Sequence, residues 1–254
     1  MIIIYLLNYL NINQKIFFFL LILKMVNTTV KLTAKYSLIA QVITGIVDIV
    51  ALQVKSNVLL LKQLLALELA VQIIELAFYI WLVYHFPSHS KEEVTKYRYY
   101  DWALSTNIML FTLIVYMVHL RYPDKTIIEI YKENKTNINT VLGLNTLMLI
   151  IGYLGEINRI NIKHSVYIGF IPFLIYYGVI YNSYVKDDIL KVVSTEKKRE
   201  INLLFWYFFI VWSIYGISAL FPYTEKNISY NILDIFSKNF FGLFLSWKVF
   251  KDRK

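Results

Sequence analysis

The sequence predicts an all-α membrane protein, a single bundle of seven transmembrane helices with its N-terminus outside and its C-terminus cytoplasmic. Three observations carry this. Of 254 residues, 58% are hydrophobic and only 17% are charged, and mean hydropathy is +0.54, far outside the usual range of a soluble domain. Apolar stretches of about twenty residues, enough to cross a hydrocarbon core of roughly 30 Å, recur seven times. Basic residues divide unevenly between alternate connections, fifteen against six, and the positive-inside rule puts the richer set in the cytoplasm.

The elements follow in order. Residues 1–30 read as an N-terminal extension ahead of a seven-helix domain over 31–254. The extension has a short apolar core after Lys15, the length of a signal-peptide core, and Met25 offers an alternative start. The first span, near 36–55, sets Ser37, Gln41, Thr44 and Asp48 along one side. In the second, near 59–84, Glu68, Gln72, Glu75 and Tyr79 fall at i, i+4, i+7 and i+11 in a helix otherwise built of Leu, Ile, Val and Ala. Each carboxylate there costs a few kcal/mol unless it faces water or a partner, so the stripe predicts a water-filled path between helices.

The third span, near 99–119, opens with Arg98-Tyr99-Tyr100-Asp101-Trp102 and continues with Ser105, Thr106 and Thr112. Asp101 and Ser105 share a face at i and i+4, with Arg98 one turn toward the outer surface. The fourth, near 138–157, carries Asn145, Met148 and Gly152 on one side, and the fifth is read near 164–184. In the sixth, near 201–221, Trp212, Tyr215 and Ala219 recur at i, i+3 and i+7, two large rings and a small neighbour on one face. The seventh, near 229–250, holds Asp234 and Lys238 four residues apart. Between spans, 121–137 predicts a short interfacial helix and 186–200 a charged connector. Asn27-Thr28-Thr29 and Asn227-Ile228-Ser229 match glycosylation acceptors on the outer face.

Composition also excludes functions. With no cysteine there is no disulfide framework, thiolate nucleophile or Cys-ligated metal. His85, His89, His119 and His164 have no zinc spacing, so no metal is expected. The net charge of +9 is a topology signal, with an added affinity for anionic lipid, and implies no nucleic-acid partner. No enzyme or effector domain is expected.

Lys238 is the most informative residue. A charge at the middle of a membrane helix costs about 2.5–3.5 kcal/mol on insertion scales, so intramembrane Lys and Asp are normally paired, buried and functional. Taken singly, the Arg98–Asp101 pair reads as a helix end and the Trp212 face as packing. Together, in order, spacing and helix number, Arg98–Trp102, Trp212/Tyr215 and Asp234/Lys238 resemble the microbial (type 1) rhodopsins, whose third, sixth and seventh helices carry Arg-Tyr-x-Asp-Trp, Trp-x-x-Tyr and Asp-x-x-x-Lys. The resemblance covers nearly the whole chain from about residue 36. It implies a retinal cofactor, all-trans, attached to Lys238 as a Schiff base. It further implies Asp101 and Asp234 as counterions balanced by Arg98, Asp101 as proton acceptor, and a pocket of Trp102, Thr106, Met109, Met148, Gly152, Trp212, Tyr215 and Ala219.

Departures from the family's proton pumps bear on the activity. The carboxylate that reprotonates the Schiff base in those pumps is Thr112 here, and threonine is no proton donor at neutral pH. Their helix-three and helix-six prolines are Asn107 and Gly216. The Lys238-Asn239 pair and the second-helix glutamates instead resemble channelrhodopsins, and in compact length the viral rhodopsins of the light-gated cation channel type. That resemblance implies a gate and pore of Glu68, Glu75, Asn239, Ser37, Gln41 and Ser105, with the first-helix gate residue left open. It implies passage of cations (H+, Na+ and K+), a place among membrane lipid in the plasma membrane of the host cell, and a homo-oligomer. The alternatives are an outward proton pump with Asp101 as acceptor, or a sensory rhodopsin.

Overall fold

The computed structural model describes the backbone over 12–56, 58–85, 91–187, 189–190 and 193–252, and the side chains of these residues except 12–28, 85 and 91–93. Expectations for residues 1–11, for the Asn27 side chain and for His85 and His89 lie outside the described residues. Seven helices account for nearly all of them, and no strand occurs among the described residues. They are α1 (Ile12–Gln53), α2 (Leu59–His85), α3 (Lys91–Arg121), α4 (Ile127–Glu156), α5 (Ile162–Ile180, continued by a π-helical turn over Tyr181–Val185), α6 (Thr195–Ser218) and α7. Helix α7 runs as α-helix over Tyr223–Asp234, as a π-helical turn over Ile235–Asn239 and as α-helix again over Phe240–Lys251. The first six contain windows long and apolar enough to cross a membrane.

Two of the connecting segments differ from the sequence expectation, each for a local reason. Residues 121–137 form no separate interfacial helix. Thr126 caps α4, its hydroxyl accepting from Glu129 N at 3.3 Å while Glu129 Oε2 accepts from Thr126 N at 2.9 Å, and the capping box carries the helix without a break to Glu156. Likewise Ser194 caps α6, starting it in the charged connector before the apolar span begins. The polar run over 132–137 hid the continuity of α4, and the charged first turn of α6 hid its start, from an apolar-period reading.

Helices adjacent in sequence pack side by side, and α7 closes the ring against α1, α2 and α6. Helix α3 is the centre: 61% of its spanning window is buried, against 28–39% for the other five spans. In α1 the inward face is Val30, Ala34, Ser37, Gln41, Thr44, Asp48 and Ala51, mostly polar or small, while Ile39, Ile43, Ile46 and Ile49 point outward. This inverts the order of a water-soluble helix, because here the surroundings are lipid and the polar groups belong inside.

Close helix approach depends on small residues at particular points. A Cβ on Gly155 would lie 2.0 Å from Ser165 Oγ and 2.6 Å from Ser165 Cβ, where α4 turns over into α5. Rotating the serine relieves only the first contact. Gly155→Ala is therefore expected to destabilise the protein by about 1–3 kcal/mol through overpacking, measured as a lower midpoint of thermal unfolding in detergent; an unchanged midpoint would mean the α4–α5 turn relaxes freely.

Candidate functional site

The π-helical turn in α7 contains Lys238 and displaces the local hydrogen-bond ladder, as such turns do at functional sites. Side chains from neighbouring helices take up its carbonyls. Gln72 Nε2 donates to Lys238 O at 3.2 Å, and Tyr207 Oη donates to Phe236 O at 2.7 Å. Lys238 is 1% exposed, and its ammonium faces three carboxylates from three helices. Nζ lies 2.5 Å from Asp101 Oδ2, 3.5 Å from Glu75 Oε1 and 3.8 Å from Asp234 Oδ1.

The two aspartates are held differently. Asp234 accepts from Tyr215 Oη at 2.7 Å on one oxygen, and from Tyr79 Oη at 2.7 Å and Arg98 Nη1 at 3.3 Å on the other. Arg98, fully buried, is fixed in turn by Asn231 Oδ1 at 2.5 Å and Asn227 Oδ1 at 3.3 Å. Asp101 has Lys238 on Oδ2, while its Oδ1 has no hydrogen-bond partner. Asp234 is thus a carboxylate with every donor in place, and Asp101 one that depends on Lys238. Two cations, Lys238 and Arg98, face three carboxyl groups, so one carboxyl must hold a proton for the cluster to be neutral. Ser105 hydrogen-bonds the Asp101 carbonyl at 2.9 Å.

Beyond Lys238 opens a cavity walled chiefly by apolar and aromatic side chains, the kind of lining that small-molecule sites have. All eight residues expected to line a pocket border it: Trp102, Thr106, Met109, Met148, Gly152, Trp212, Tyr215 and Ala219. A Cβ on Gly152 would lie 2.9 Å from the Tyr99 ring, so the glycine admits Tyr99 to the wall. The α5 wall of Ser165, Val166, Gly169, Phe170 and Phe173, together with Tyr99 and Tyr230, was not anticipated. Helix α5 carries no charge or motif on that face; the small residues Ser165 and Gly169 at i and i+4 were its only signal. The walls are apolar and aromatic, with a primary amine at one end. That set of groups fits an elongated apolar aldehyde joined covalently at Lys238.

The expected pore residues are all buried. Ser37, Gln41, Glu68, Glu75, Asn239 and Ser105 are each 3% exposed or less. The structure brings Glu75 to the amine of Lys238, while Glu68 lies beside Thr112 on α3 and within electrostatic reach of Asp48 on α1. Asn227 cannot serve as a glycosylation acceptor: it is buried, and its amide donates to Thr95 Oγ1 at 3.1 Å while its oxygen holds Arg98. Among the described residues no group of three or more His, Cys, Asp or Glu is placed to hold a metal ion.

A family model described as bacteriorhodopsin-like protein matches residues 29–251. Among solved structures the chain is similar to the viral rhodopsin OLPVRII, at 23% identity and a TM-score of 0.75, covering 87% of this chain and 98% of that one. It is also similar to rhodopsin I of Acetabularia, at 17% identity and a TM-score of 0.70 over 88% and 95% of the two chains. Xanthorhodopsin, a light-driven ion pump with dual chromophore, gives 15% identity and a TM-score of 0.70 over 88% and 93%. These likenesses are of fold. No curated protein sequence matches.

Proposed function

The chain belongs to the bacteriorhodopsin-like family, an integral membrane family whose members bind a retinal chromophore, and from that membership we propose that it is a retinal-binding photoreceptor acting as a light-gated cation channel. All-trans retinal, when bound, supplies the light absorption and the bond rotation. Lys238 is the residue that holds it, Trp102 and Trp212 confine it, and Asp101 and Asp234 with Glu75 balance the charge on the Lys238 nitrogen. Asp101, whose Oδ2 meets that nitrogen directly, is the acceptor when the proton leaves. Asp234 is locked in place by two tyrosines and Arg98.

The observation that carries the channel reading is a run of buried polar atoms with no hydrogen-bond partner between α1, α2 and α7: both Gln41 amide atoms, Asp48 Oδ2, Gln72 Oε1 and both Asn239 amide atoms, with Glu68 beside the Thr112 hydroxyl and Ser37 beside the Tyr79 phenol. Proteins rarely leave so many buried polar atoms unpaired. A file of water among the helices satisfies them and gives hydrated H+, Na+ or K+ a route. Acidic groups along it attract cations and repel anions. The division of basic residues supports an N-terminus outside and a cytoplasmic C-terminus. The second reading, an outward proton pump, draws on Asp101 at 2.5 Å from Lys238. Against it, Thr112 occupies the donor position and donates its hydroxyl to Ile108 O at 3.0 Å.

Voltage-clamp recording of the retinal-reconstituted protein separates the two. A channel gives a photocurrent that reverses sign at a potential following the cation gradient; one-way current persisting against the gradient would establish the pump. Within the channel reading, Glu75→Gln and Asn239→Asp are expected to change conductance or selectivity while pigment still forms.

A further inference from the structure

Asp48, on the inward face of α1, is the buried carboxylate most distant in role from the cluster at Lys238. Ser246 Oγ on α7 donates to its Oδ1 at 2.6 Å, and its Oδ2 has no hydrogen-bond partner. It meets α2 and α7 at Gly242. A Cβ built on Gly242 would lie 2.7 Å from Asp48 Oδ2 and 3.3 Å from Gln72 Nε2, so the glycine leaves a notch into which groups of α1 and α2 project. Gln72, 2% exposed, spends its amide N–H on Lys238 O and keeps its amide oxygen unpartnered. Glu68, one turn away on the same face of α2, lies against the Thr112 hydroxyl of α3 and interacts electrostatically with Asp48.

Charge balance separates this group from the Lys238 cluster. There, two cations face three carboxyl groups; here, two carboxyl groups face none, since neither Asp48 nor Glu68 makes an ion pair among the described residues. A charge buried without a partner is expensive, and a bound cation supplies one. We propose that Asp48, Glu68 and Gln72, around the notch at Gly242, form a binding site for a monovalent cation of the Na+ or K+ class and set the cation selectivity of the pathway. Its ligands are the unpartnered oxygens Asp48 Oδ2 and Gln72 Oε1 together with the Glu68 carboxyl, the oxygen donors hard cations take. Conduction requires binding weak enough to release the ion. Two buried carboxylates hold a divalent ion too tightly for that, and Mg²⁺ sheds its waters reluctantly.

This inference deepens the channel reading and rests on it for the word selectivity, so its test includes a measurement made in the dark. Thermal unfolding of the retinal-reconstituted pigment is compared in NaCl or KCl and in N-methyl-D-glucamine chloride at equal ionic strength, for the unaltered protein and for Asp48→Asn and Gly242→Ala. The small cations are expected to raise the unfolding midpoint by roughly 3 °C per tenfold of ligand above its dissociation constant. Both substitutions are expected to remove that increment, and Asp48→Asn carries the test if Gly242→Ala fails to fold. Asp48→Asn is further expected to shift the reversal potential of the photocurrent when Na+ is exchanged for K+. A cation increment in the unaltered protein that Asp48→Asn retains, or the absence of any increment, overturns the site. A cation increment lost in Asp48→Asn without any photocurrent supports the site and overturns the channel reading. A larger increment with Ca²⁺ than with Na+ at equal ionic strength overturns the monovalent assignment.

Discussion

Lys238→Arg is expected to yield a folded protein that forms no coloured complex with retinal, and Lys238→Ala is expected to lose both the colour and much of the stability. The two substitutions separate attachment from charge. A guanidinium cannot form the covalent link to an aldehyde that a primary amine forms, yet it keeps a positive charge opposite Asp101, Glu75 and Asp234. Alanine removes that charge from a site where Lys238 is 1% exposed, leaving the carboxylates uncompensated, and breaking a buried ion pair from one side costs about 3–5 kcal/mol. Absorption spectra after retinal addition and unfolding midpoints in detergent read the two effects independently. A visible band in Lys238→Arg would place the attachment elsewhere.

The second large effect concerns which carboxylate governs colour. Asp101→Asn is expected to move the absorption band to longer wavelength, and by more than Glu75→Gln does. With retinal bound, positive charge on the Lys238 nitrogen would spread into the conjugated chain on excitation, so a carboxylate held close to that nitrogen would stabilise the ground state more than the excited state. Removing it narrows the gap. The order of proximity is Asp101 at 2.5 Å, Glu75 at 3.5 Å and Asp234 at 3.8 Å. Asp234→Asn differs in kind, since Tyr79, Tyr215 and Arg98 all lose an acceptor, and reduced stability is its expected signature. A larger shift for Glu75→Gln than for Asp101→Asn would make Glu75 the principal counterion and take Asp101 out of the acceptor role.

Glu75 shows where sequence and structure part. Its place on the polar face of the second helix follows from spacing alone, with Glu68, Gln72 and Tyr79 one or two turns away. The spacing says nothing about which groups on α7 that face meets. In the folded bundle Tyr79 reaches Asp234, Glu75 reaches the Lys238 amine and Gln72 reaches the Lys238 carbonyl, three successive turns of α2 against one short stretch of α7. The π-helical turn exposes the carbonyls in that stretch, and no residue in Ile235–Asn239 announces it. The same limit hid the α5 wall of the cavity. Phe170 and Phe173 look like any lipid-facing aromatics until α5 is rotated against α4 and α6.

Local properties were legible because each depends on one segment at a time. Seven helices, the inward polar faces of α1 and α2 and the buried lysine follow from hydropathy and helical period, and eight of the residues that border the cavity follow from the family resemblance that the motifs carry. Helix ends were less legible, because the caps at Thr126 and Ser194 lie in polar sequence that an apolar count passes over. What only the tertiary structure decided is how the helices are turned and set in height against one another. That is fixed by packing at points such as Gly155 and Gly242, where the absence of a side chain lets neighbouring groups approach. Three carboxylates around one amine, and two more carboxylates with no cation, are consequences of that register, and no periodicity within a single helix contains it.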